Sequence, residues 1–463
     1  MTTPLPAGFR IALDHSARRI DAHRWAGGSP ARVFRLTPAG LTVWAALRTG
    51  PVRSQAAGVL ARKLTDAGVA HPEPPPLTAA PDVTVVIPVH DRLDKLARCL
   101  AEVTGDRYPV VLVDDASRNG PAVAELAERF GVRLVVRQEN GGPPAARNTG
   151  LAATDTELVA FVDSDCVPPN GWIDTLAAHF ADPLVGAVAP RVVPAAGTTW
   201  AGRYTRATCC LDLGDTPASV APNTRVAWVP TTAMIVRREA VADGFDPALS
   251  VAGEDVDFVW RMQKAGWRVR YDPTVRVRHL EPETWVGLLT RRYRYGTSAA
   301  PLTLRHPGSL PPLVLHGWPT LTVAAALAGR PRLAAAAYAC SVLSTARALR
   351  RGGQPVDTVP RAMTDAAVKT WLGIGRYSTQ FALPLLAAQA LRHGWRRRTA
   401  VATLALGPAF TEWARRRPAI DPARYVAGHL ADDLAYGSGV LAGCVTHRTT
   451  LPLRPAIGRH RKE

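Results

Sequence analysis

The middle of the chain, residues 82–282, alternates short β-branched apolar runs with stretches of helical periodicity. Helical patterns separate the first three apolar runs, and another helical pattern precedes the fourth. This alternation is typical of a parallel sheet whose strands are buried on both faces, so we predict an α/β domain here. The predicted strands are 83–87, 110–113, 134–136 and 158–162, and the predicted helices are 93–103, 122–130 and 145–152.

Residues 1–78 carry a shorter pattern of their own. The run Val33-Phe-Arg-Leu-Thr-Pro38 predicts a short strand that leads into a helix, and a second amphipathic helix is predicted over about 54–67. Gly68 is placed to end that second helix. The proline-rich run at 71–76 predicts a stiff linker to the middle block.

Beyond residue 300 the chain consists of apolar segments separated by arginine clusters. The longest segment without a charged side chain, 307–329, approaches the roughly 20 residues of a membrane-spanning helix, but prolines interrupt it. The other segments are too short unless 333–346 pairs with 313–328 as a hairpin. Most of the net charge of +18 lies in this region. We therefore expect helices associated with an anionic cytoplasmic membrane surface, either peripherally or with one or two short spans.

Composition excludes several classes of protein. With 463 residues and 47% hydrophobic residues, the chain can bury a core without metal or disulfide staples. Its six cysteines form no CxxC pair, which argues against a zinc ribbon, and no signal-peptide pattern follows Met1, so we expect a reduced, cytoplasmic setting. The arginine clusters lack interleaved aromatic residues, so nucleic acid is not expected as a partner.

Acidic residues follow two of the predicted strands. Asp114 and Asp115 come at the end of the second strand, where a parallel sheet presents its ligand-binding edge, although an Asx turn closing the strand is the simpler interpretation. Asp163 and Asp165 follow the fourth strand one residue apart. Two carboxylates at this spacing suit one hard cation that keeps other positions for diphosphate oxygens, whereas a solvated turn is the alternative.

Three further segments carry candidate chemistry. The glycine- and proline-rich run 141–150 opens a helix and offers Arg147 to a phosphate or to the acidic cluster, unless it is an ordinary loop with a salt bridge. Glu254 and Asp255 begin another helix, as capping residues or as a general base. In the run 291–295, the arginines suit either diphosphate binding or a basic, membrane-facing helix edge.

Together these segments resemble the inverting family 2 glycosyltransferases, which have the GT-A fold. The motifs that carry the resemblance lie in the same order at residues 85–90, 113–117, 142–150, 161–165 and 253–257. The run Arg291-x-x-Arg294-Tyr295 looks like a degenerate form of the Gln-x-x-Arg-Trp element of processive members. This run therefore does not decide whether the enzyme adds one sugar or several in succession.

The resemblance implies a role for each motif. Asp255 would be the catalytic base, with Glu254 beside it. Asp163 and Asp165 would hold a divalent metal, Mg²⁺ or Mn²⁺, on the donor diphosphate, and His279 would be a further ligand because it follows a predicted strand. The residues expected to bind the nucleotide sugar are Pro88, His90, Asp114, Asp115, Arg147, Asp163, Arg291 and Arg294.

A closer resemblance, covering the entire chain, is to the glycosyltransferases of the mycofactocin system. It implies transfer of glucose from UDP-glucose to the peptide-derived redox cofactor premycofactocin, which builds a β-1,4-linked oligoglucoside. Residues 1–78 also resemble small winged-helix peptide-recognition domains, so they would either dock the acceptor or only pack on the catalytic sheet. The segments of resemblance are 5–10, 27–32, 36–40, 295–302, 305–307 and 432–439.

The predicted organisation is a small winged-helix-like domain over 1–78, a GT-A catalytic domain over 82–285 and a basic helical region over 286–463. A family 2 enzyme acting on a lipid-linked or cell-envelope glycan would use the same catalytic residues. A sugar-nucleotide pyrophosphorylase would need a glycine- and arginine-rich loop after the first strand, where this chain has Pro88-Val-His-Asp-Arg92. A non-enzymatic basic binding protein would leave the strand-end carboxylates unexplained.

Overall fold

The computed structural model describes residues 3–195, 197–309, 311–352, 354, 356–392 and 394–458. These residues form two compact units. The first unit holds 3–195 and 209–281, and the second holds 197–208 and 282–458. The segment 197–208, which the sequence pattern placed inside the middle block, therefore belongs to the second unit.

The N-terminal segment of the first unit contains two small sheets and two helices. As predicted, a strand leads into a helix whose start is capped by Thr37, because its hydroxyl accepts from the amide of Gly40. Ser54 caps the second helix in the same way, and Gly68 follows that helix with a positive φ of 67°. The elements are β1 Arg10–Leu13, β2 Arg18–Arg19, β3 Arg24–Gly27, β4 Arg32–Arg35, α1 Pro38–Thr49, α2 Gln55–Asp66 and β5 Ala70–Glu73.

Strands β2, β3 and β4 form an antiparallel meander, while β1 pairs with β5. Assignment of this segment to the winged-helix class stays a prediction. The segment is fixed to the rest of its unit by a buried ion pair. Arg62 on α2 donates from Nη1 and Nη2 to the two carboxylate oxygens of Asp182, at 2.6 and 2.7 Å. Both side chains are almost fully buried, so either residue without the other would leave an uncompensated charge.

The middle block folds as a large sheet flanked by helices, and all four strands predicted from the apolar runs are present. Five further strands extend the sheet, and among them the sequence analysis expected only the one at His279. The elements are β6 Val83–Val89, α3 Leu93–Val103, β7 Val110–Asp114, α4 Gly120–Arg129, β8 Arg133–Val136, α5 Gly142–Ala152, β9 Leu158–Val162, β10 Cys166–Val167, α6 Trp172–Ala177, β11 Val185–Pro194, α7 Trp200–Ala207 (in the second unit), β12 Ala218–Val220, β13 Ala233–Arg237, α8 Arg238–Val241, α9 Glu254–Lys264 and β14 Arg268–His279.

The large sheet has nine strands and is mixed, whereas the sequence pattern predicted a parallel sheet. Its order is β10-β14-β11-β13-β9-β6-β7-β8, with β12 paired to β14. Strands β9, β6, β7 and β8 are parallel neighbours, as predicted. The difference lies at β13, which runs antiparallel to both β9 and β11. Two inversions restore the direction, so β11 and β14 run the same way as the parallel strands.

This topology brings the carboxyl ends of β6, β7, β9 and β14 to one edge of the sheet. The short strand β10 then pairs antiparallel with the end of β14, with Cys166 opposite His279 in the register. The residue pair is therefore adjacent in space although more than 100 positions separate it in sequence. We call this edge, with the side chains of residues 163–165, 254–255 and 279, the acidic edge.

The second unit is helical apart from one short pair of strands. Residues 317–327 and 331–351 form two helices that pack as the hairpin considered in the sequence analysis. None of the helices in the described part of the chain is long and apolar enough to span a membrane. Besides α7, the elements are α10 Trp285–Thr297, α11 Ala299–Arg305, β15 Val314–Leu315, α12 Gly317–Leu327, α13 Pro331–Arg351, α14 Val359–Phe381, α15 Leu383–Leu391, α16 Trp395–Arg416, α17 Pro422–Thr446 and β16 Ala456–Ile457.

Glycines allow α10 and α17 to pack with their backbones in contact. A Cβ at Gly439 would lie 2.1 Å from the carbonyl oxygen of Tyr293, and one at Gly296 would lie 2.2 Å from that of Tyr436. A buried ion pair crosses the same contact, where Arg292 Nε lies 2.8 Å from Asp432 Oδ1. The resembling segments 295–302 and 432–439 therefore meet in one helix pair.

Candidate active site

Arg147 connects two of the predicted motifs at the acidic edge. Its Nη2 donates to Asp163 Oδ1 at 2.6 Å, and its Nη1 donates to Glu254 Oε1 at 2.9 Å. The Arg147 side chain is only 3% exposed, and the two carboxylates keep the pKa of its guanidinium above the ordinary value despite burial. Arg147 therefore pairs with the acidic cluster through salt bridges, and its contact with a donor phosphate stays a prediction.

Other residues of the run 142–150 position this arginine. Asn148 fixes the neighbouring segment, because it donates to the carbonyl of Phe245 and accepts from its amide, at 2.7 and 2.8 Å. The Phe245 ring then lies against the Arg147 guanidinium, 5.4 Å from its centre. Gly150 lets α5 approach β6, since a Cβ there would lie 2.2 Å from Val86 Cγ1. Close packing thus holds Arg147 rigidly.

Asp255 occupies a different electrostatic environment from its neighbours. It lies in the first turn of α9, after Gly253, whose φ of 91° favours glycine. Burial and then the charge of Glu254 raise the pKa of Asp255 from its ordinary 3.8 to about 7, with Asp163 adding to the effect and Arg147 opposing it. Glu254 is paired with Arg147, whereas Asp255 accepts a hydrogen bond from the adjacent Val256 amide and forms no ion pair in the described part of the chain.

Asp165 lies at the same edge among cations. Its Oδ2 accepts from Arg92 Nη1 at 2.8 Å and lies 3.5 Å from Lys95 Nζ, while its Oδ1 lies 3.4 Å from His279 Nε2. Burial alone would raise the pKa of Asp165, but these charges, with His279 foremost, hold it well below its usual range. Conversely, Asp165 and Glu281 raise the pKa of His279 to about 9 in spite of burial.

The donor set fits a divalent metal at Asp165 and His279. Oxygen and nitrogen atoms of these side chains, with the sulfur of Cys166, lie within 4.8 Å of one another, and all three residues are buried. Burial and the neighbouring Asp165 keep the pKa of the Cys166 thiol well above its ordinary value, so it remains protonated and contributes little to a hard cation. Asp163 lies outside this group and pairs with Arg147.

Asp114 and Asp115 are both buried and bonded to protein groups. Asp114 Oδ1 accepts from the Ser117 amide at 2.9 Å, which is the Asx-turn interpretation of this residue. Asp115 accepts from the amides of Gly141 and Gly142, at 3.0 and 2.7 Å, and from Arg137 Nε at 2.7 Å. It thus fixes the glycine pair that begins α5, and a nucleobase contact stays a prediction for both residues.

The other predicted binding residues lie in two places. Pro88 is in β6 at the acidic edge of the sheet, and His90 just beyond it contacts the carbonyl of Asp115 through Nδ1 at 3.0 Å. Arg291 and Arg294 lie on α10, in the second unit. The Arg291 guanidinium faces the Tyr295 ring at 6.0 Å, and Arg294 is exposed.

Several residues of the edge escaped the sequence analysis. Arg92, Lys95 and Glu281 contact Asp165 or His279, yet none belongs to a strand-end acidic motif. The alternation of arginine and apolar residues through β14 was a usable signal, because it predicts a strand that ends at His279. Arg92 and Lys95 at the start of α3 gave no comparable signal.

The glycosyl transferase family 2 profile matches residues 84–245, which include β6 to β13 and Arg147, Asp163 and Asp165. A pre-mycofactocin glycosyltransferase of Mycobacterium tuberculosis is 37% identical over 98% of this chain and 99% of its own length. The glycosyltransferase AglE of Haloferax volcanii is 30% identical over 47% of this chain and 72% of its own length. A solved mannosyltransferase, PcManGT from Pyrobaculum calidifontis, aligns over 81% of this chain and 89% of its own, with 20% identity and a TM-score of 0.46.

The profile match on the mixed α/β domain, together with these relatives, identifies the chain as a glycosyltransferase, an enzyme of family 2. Because the similarity to the mycobacterial enzyme extends over nearly the full length of both chains, the chain belongs to the family of the pre-mycofactocin glycosyltransferases. The resemblance noted along the whole sequence is thereby confirmed.

Proposed function

We propose that this enzyme has a GT-A catalytic domain and transfers glucose, with inversion, from UDP-glucose to premycofactocin, building a β-1,4-linked oligoglucoside. The observation that carries the proposal is the full-length similarity to the mycobacterial pre-mycofactocin glycosyltransferase, together with a carboxylate suited to act as a base at the acidic edge. An inverting transfer is one in-line displacement, so neither a covalent intermediate nor a serine or cysteine nucleophile is required.

Asp255 is the proposed base. A general base works best when its pKa is near the operating pH, and burial beside Glu254 raises the pKa of Asp255 to about 7. The acceptor hydroxyl would donate its proton to Asp255 while its oxygen attacks the anomeric carbon opposite the diphosphate. Glu254 is less suited to this role, because its Oε1 already accepts a hydrogen bond from Arg147 at 2.9 Å. Glu254 instead holds Arg147, and hence Asp163, in place.

Asp165 and His279 are the proposed holders of the divalent cation, with Asp163 nearby on the same turn. Such a cation supplies Lewis-acid stabilisation of the negative charge on the departing UDP. Basic side chains of the protein lie beside this proposed metal site as well. Arg92, 58% exposed in its side chain, and Lys95 contact Asp165 and are within reach of a diphosphate that approaches this edge. The roles of Pro88, His90, Asp114 and Asp115 in uridine binding belong to the same proposal.

The test is a product assay with purified enzyme, premycofactocin and a panel of UDP- and GDP-sugars, read by mass spectrometry. We expect hexose additions with UDP-glucose, and release of the added sugars by a glucosidase specific for β-1,4 linkages. Product only with a GDP-sugar, or resistance to that glucosidase, would contradict the donor or the linkage. The runner-up function, transfer to a lipid-linked or cell-envelope glycan, would show product on that acceptor and none on premycofactocin.

We also propose that the second unit associates peripherally with an anionic, cytoplasmic membrane surface. Large apolar side chains are exposed on α13, α15 and α16, and an arginine cluster at 396–398 follows the exposed Trp395. Apolar side chains beside arginines favour the interface of an anionic leaflet. The exposed apolar residues that support the proposal are Leu343, Leu385, Leu391, Trp395 and Phe410.

A further inference from the structure

The chain doubles back directly after His279. The amide of Glu281 donates to the carbonyl of His279 at 3.0 Å, so a tight turn directs residue 281 towards the histidine. The amide of Leu280 donates to the carbonyl of Asp165 at 2.8 Å, and Lys95 Nζ donates to the carbonyl of Leu280. One of these hydrogen bonds joins the segment 279–281 to Asp165, another comes from α3, and the third closes the turn within the segment itself.

Within this segment, Glu281 contacts the His279 ring on the side away from Asp165. Glu281 Oε1 lies 2.9 Å from His279 Nδ1, while Nε2 of the same ring lies 3.4 Å from Asp165 Oδ1. The Cys209 thiol donates to the same Glu281 oxygen at 3.2 Å. The side chains of Glu281 and His279 are 5% and 6% exposed. A carboxylate buried this deeply beside one ring nitrogen constrains which nitrogen carries the proton.

We propose that Glu281 is the positioning residue of the metal site: it accepts a hydrogen bond from Nδ1–H of His279 and so presents the Nε2 lone pair towards the cation held with Asp165. The inference rests on the proposed metal dependence. A carboxylate behind a ligating imidazole fixes its tautomer and orientation and raises its basicity. Cys209 and the turn at 279–281 in turn fix the carboxylate.

The first unit contains a second buried histidine–carboxylate pair that lacks this arrangement. His179 Nε2 lies 2.8 Å from Asp272 Oδ2, with side chains 7% and 16% exposed. Its Nδ1 has no hydrogen-bond partner in the described part of the chain, so this ring lies against one carboxylate and not between two. The pair is a matched control, because Asp272→Asn perturbs a similar contact at a distant position of β14.

The experiment measures Mn²⁺ binding to the full chain in the presence of UDP, from the electron paramagnetic resonance signal of free Mn²⁺. We expect Glu281→Gln to weaken Mn²⁺ affinity by about 10- to 100-fold, the range for outer carboxylates of metal-bound histidines. Glu281→Asp keeps the charge but moves it away from His279 by about one methylene. Its Mn²⁺ affinity is expected to lie between those of Glu281→Gln and the wild type. Asp272→Asn should bind Mn²⁺ as the wild type does.

The possible outcomes distinguish the proposed metal site from the positioning role of Glu281. Wild-type protein that binds no Mn²⁺ with UDP would overturn the metal site, and with it the role of Glu281. Tight binding by the wild type together with unchanged binding by folded Glu281→Gln would overturn the positioning role alone. Equal weakening in Asp272→Asn would overturn it too, because the effect would then be a general loss of packing. Circular dichroism establishes the fold of each variant, and Glu281→Asp provides the measurement if the glutamine variant is unfolded.

Discussion

Replacement of Asp255 by Asn distinguishes the base from a helix-capping residue, because the two roles predict opposite changes in stability. As a base, Asp255 is a carboxyl group that folding makes harder to ionise, so removing its charge should stabilise the protein at high pH. As a helix-terminal residue it would interact favourably with the dipole of α9, and its neutralisation would cost about 0.3–1 kcal/mol. The substitution of Asp by Asn leaves the volume and polarity of the side chain nearly unchanged, so the difference in stability reports the charge.

The expected magnitude follows from the pKa of Asp255. A carboxyl with a pKa of about 7 in the folded protein and 3.8 in the unfolded chain binds its proton more tightly when folded. The free energy of unfolding therefore falls as the pH rises from about 4 to about 7, by at most about 4 kcal/mol. Asn cannot ionise, so Asp255→Asn should match the wild type near pH 4 and exceed it above pH 7. Since Asp255 is only partly buried, about half of the maximum is a realistic difference.

The assay combines urea unfolding of both proteins at pH 5 and pH 8 with turnover at pH 8. We expect Asp255→Asn to gain roughly 2 kcal/mol over the wild type at pH 8, to gain less at pH 5, and to lose about 10²- to 10⁴-fold in turnover. UDP-sugar binding should stay near the wild-type value. A variant less stable than the wild type at pH 8 would refute the burial argument, and full turnover would refute the base. If Glu254→Gln alone is inactive, the base is Glu254.

Four further outcomes are expected. Wild-type turnover should rise as the pH passes through about 7, because Asp255 must be ionised to accept a proton; a flat profile from pH 5 to 8 would contradict this. Chelation or Asp165→Asn should abolish transfer, and added Mg²⁺ or Mn²⁺ should restore only the chelated wild type; full activity in chelator would refute metal dependence. Arg62→Met should lower the free energy of unfolding by about 3–5 kcal/mol, because Asp182 would be buried without its cation; a change below 1 kcal/mol in urea titrations would show that Asp182 finds other partners. Anionic vesicles should bind the full chain in flotation assays, neutral vesicles should not, and Leu391→Glu should weaken the binding; equal binding to both vesicle types would contradict the electrostatic argument.

The sequence predicted the parallel half of the sheet well because its strands are buried on both faces. In β6, β7 and β9 nearly every residue is buried, so the apolar run and the strand coincide. The other half was missed for a physical reason. Strands β11 and β14 both contain proline and arginine, which interrupt the apolar run, and β14 also alternates in burial. The alternation indicates that β14 is a strand, whereas only pairing with distant segments decides that β11 is one.

In the candidate site, too, local motifs predicted some residues, whereas others depend on contacts between distant segments. The sequence identified Asp163, Asp165 and Asp255 because motifs place carboxylates at strand and helix ends. It could not show that Arg147 neutralises Glu254 rather than Asp255, since that depends on how Asn148 and Phe245 set the course of α5. His279 was predicted only through the family resemblance, and Glu281 was not predicted, because their approach to Asp165 requires the register of β10 on β14.

The acidic edge assigns different chemistry to two carboxylates through their surroundings. Asp165 lies among Arg92, Lys95 and His279, which stabilise its charge, so it is ionised at any pH at which the enzyme works. Asp255 lies beside two other acids that share the single cation of Arg147, and this shortage of positive charge adds to burial in raising its pKa. A ligand for a divalent cation must stay charged, whereas a base must exchange a proton near neutral pH. The separation of the two pKa values therefore supports Asp165 as the anionic ligand and Asp255 as the base, independently of their motifs.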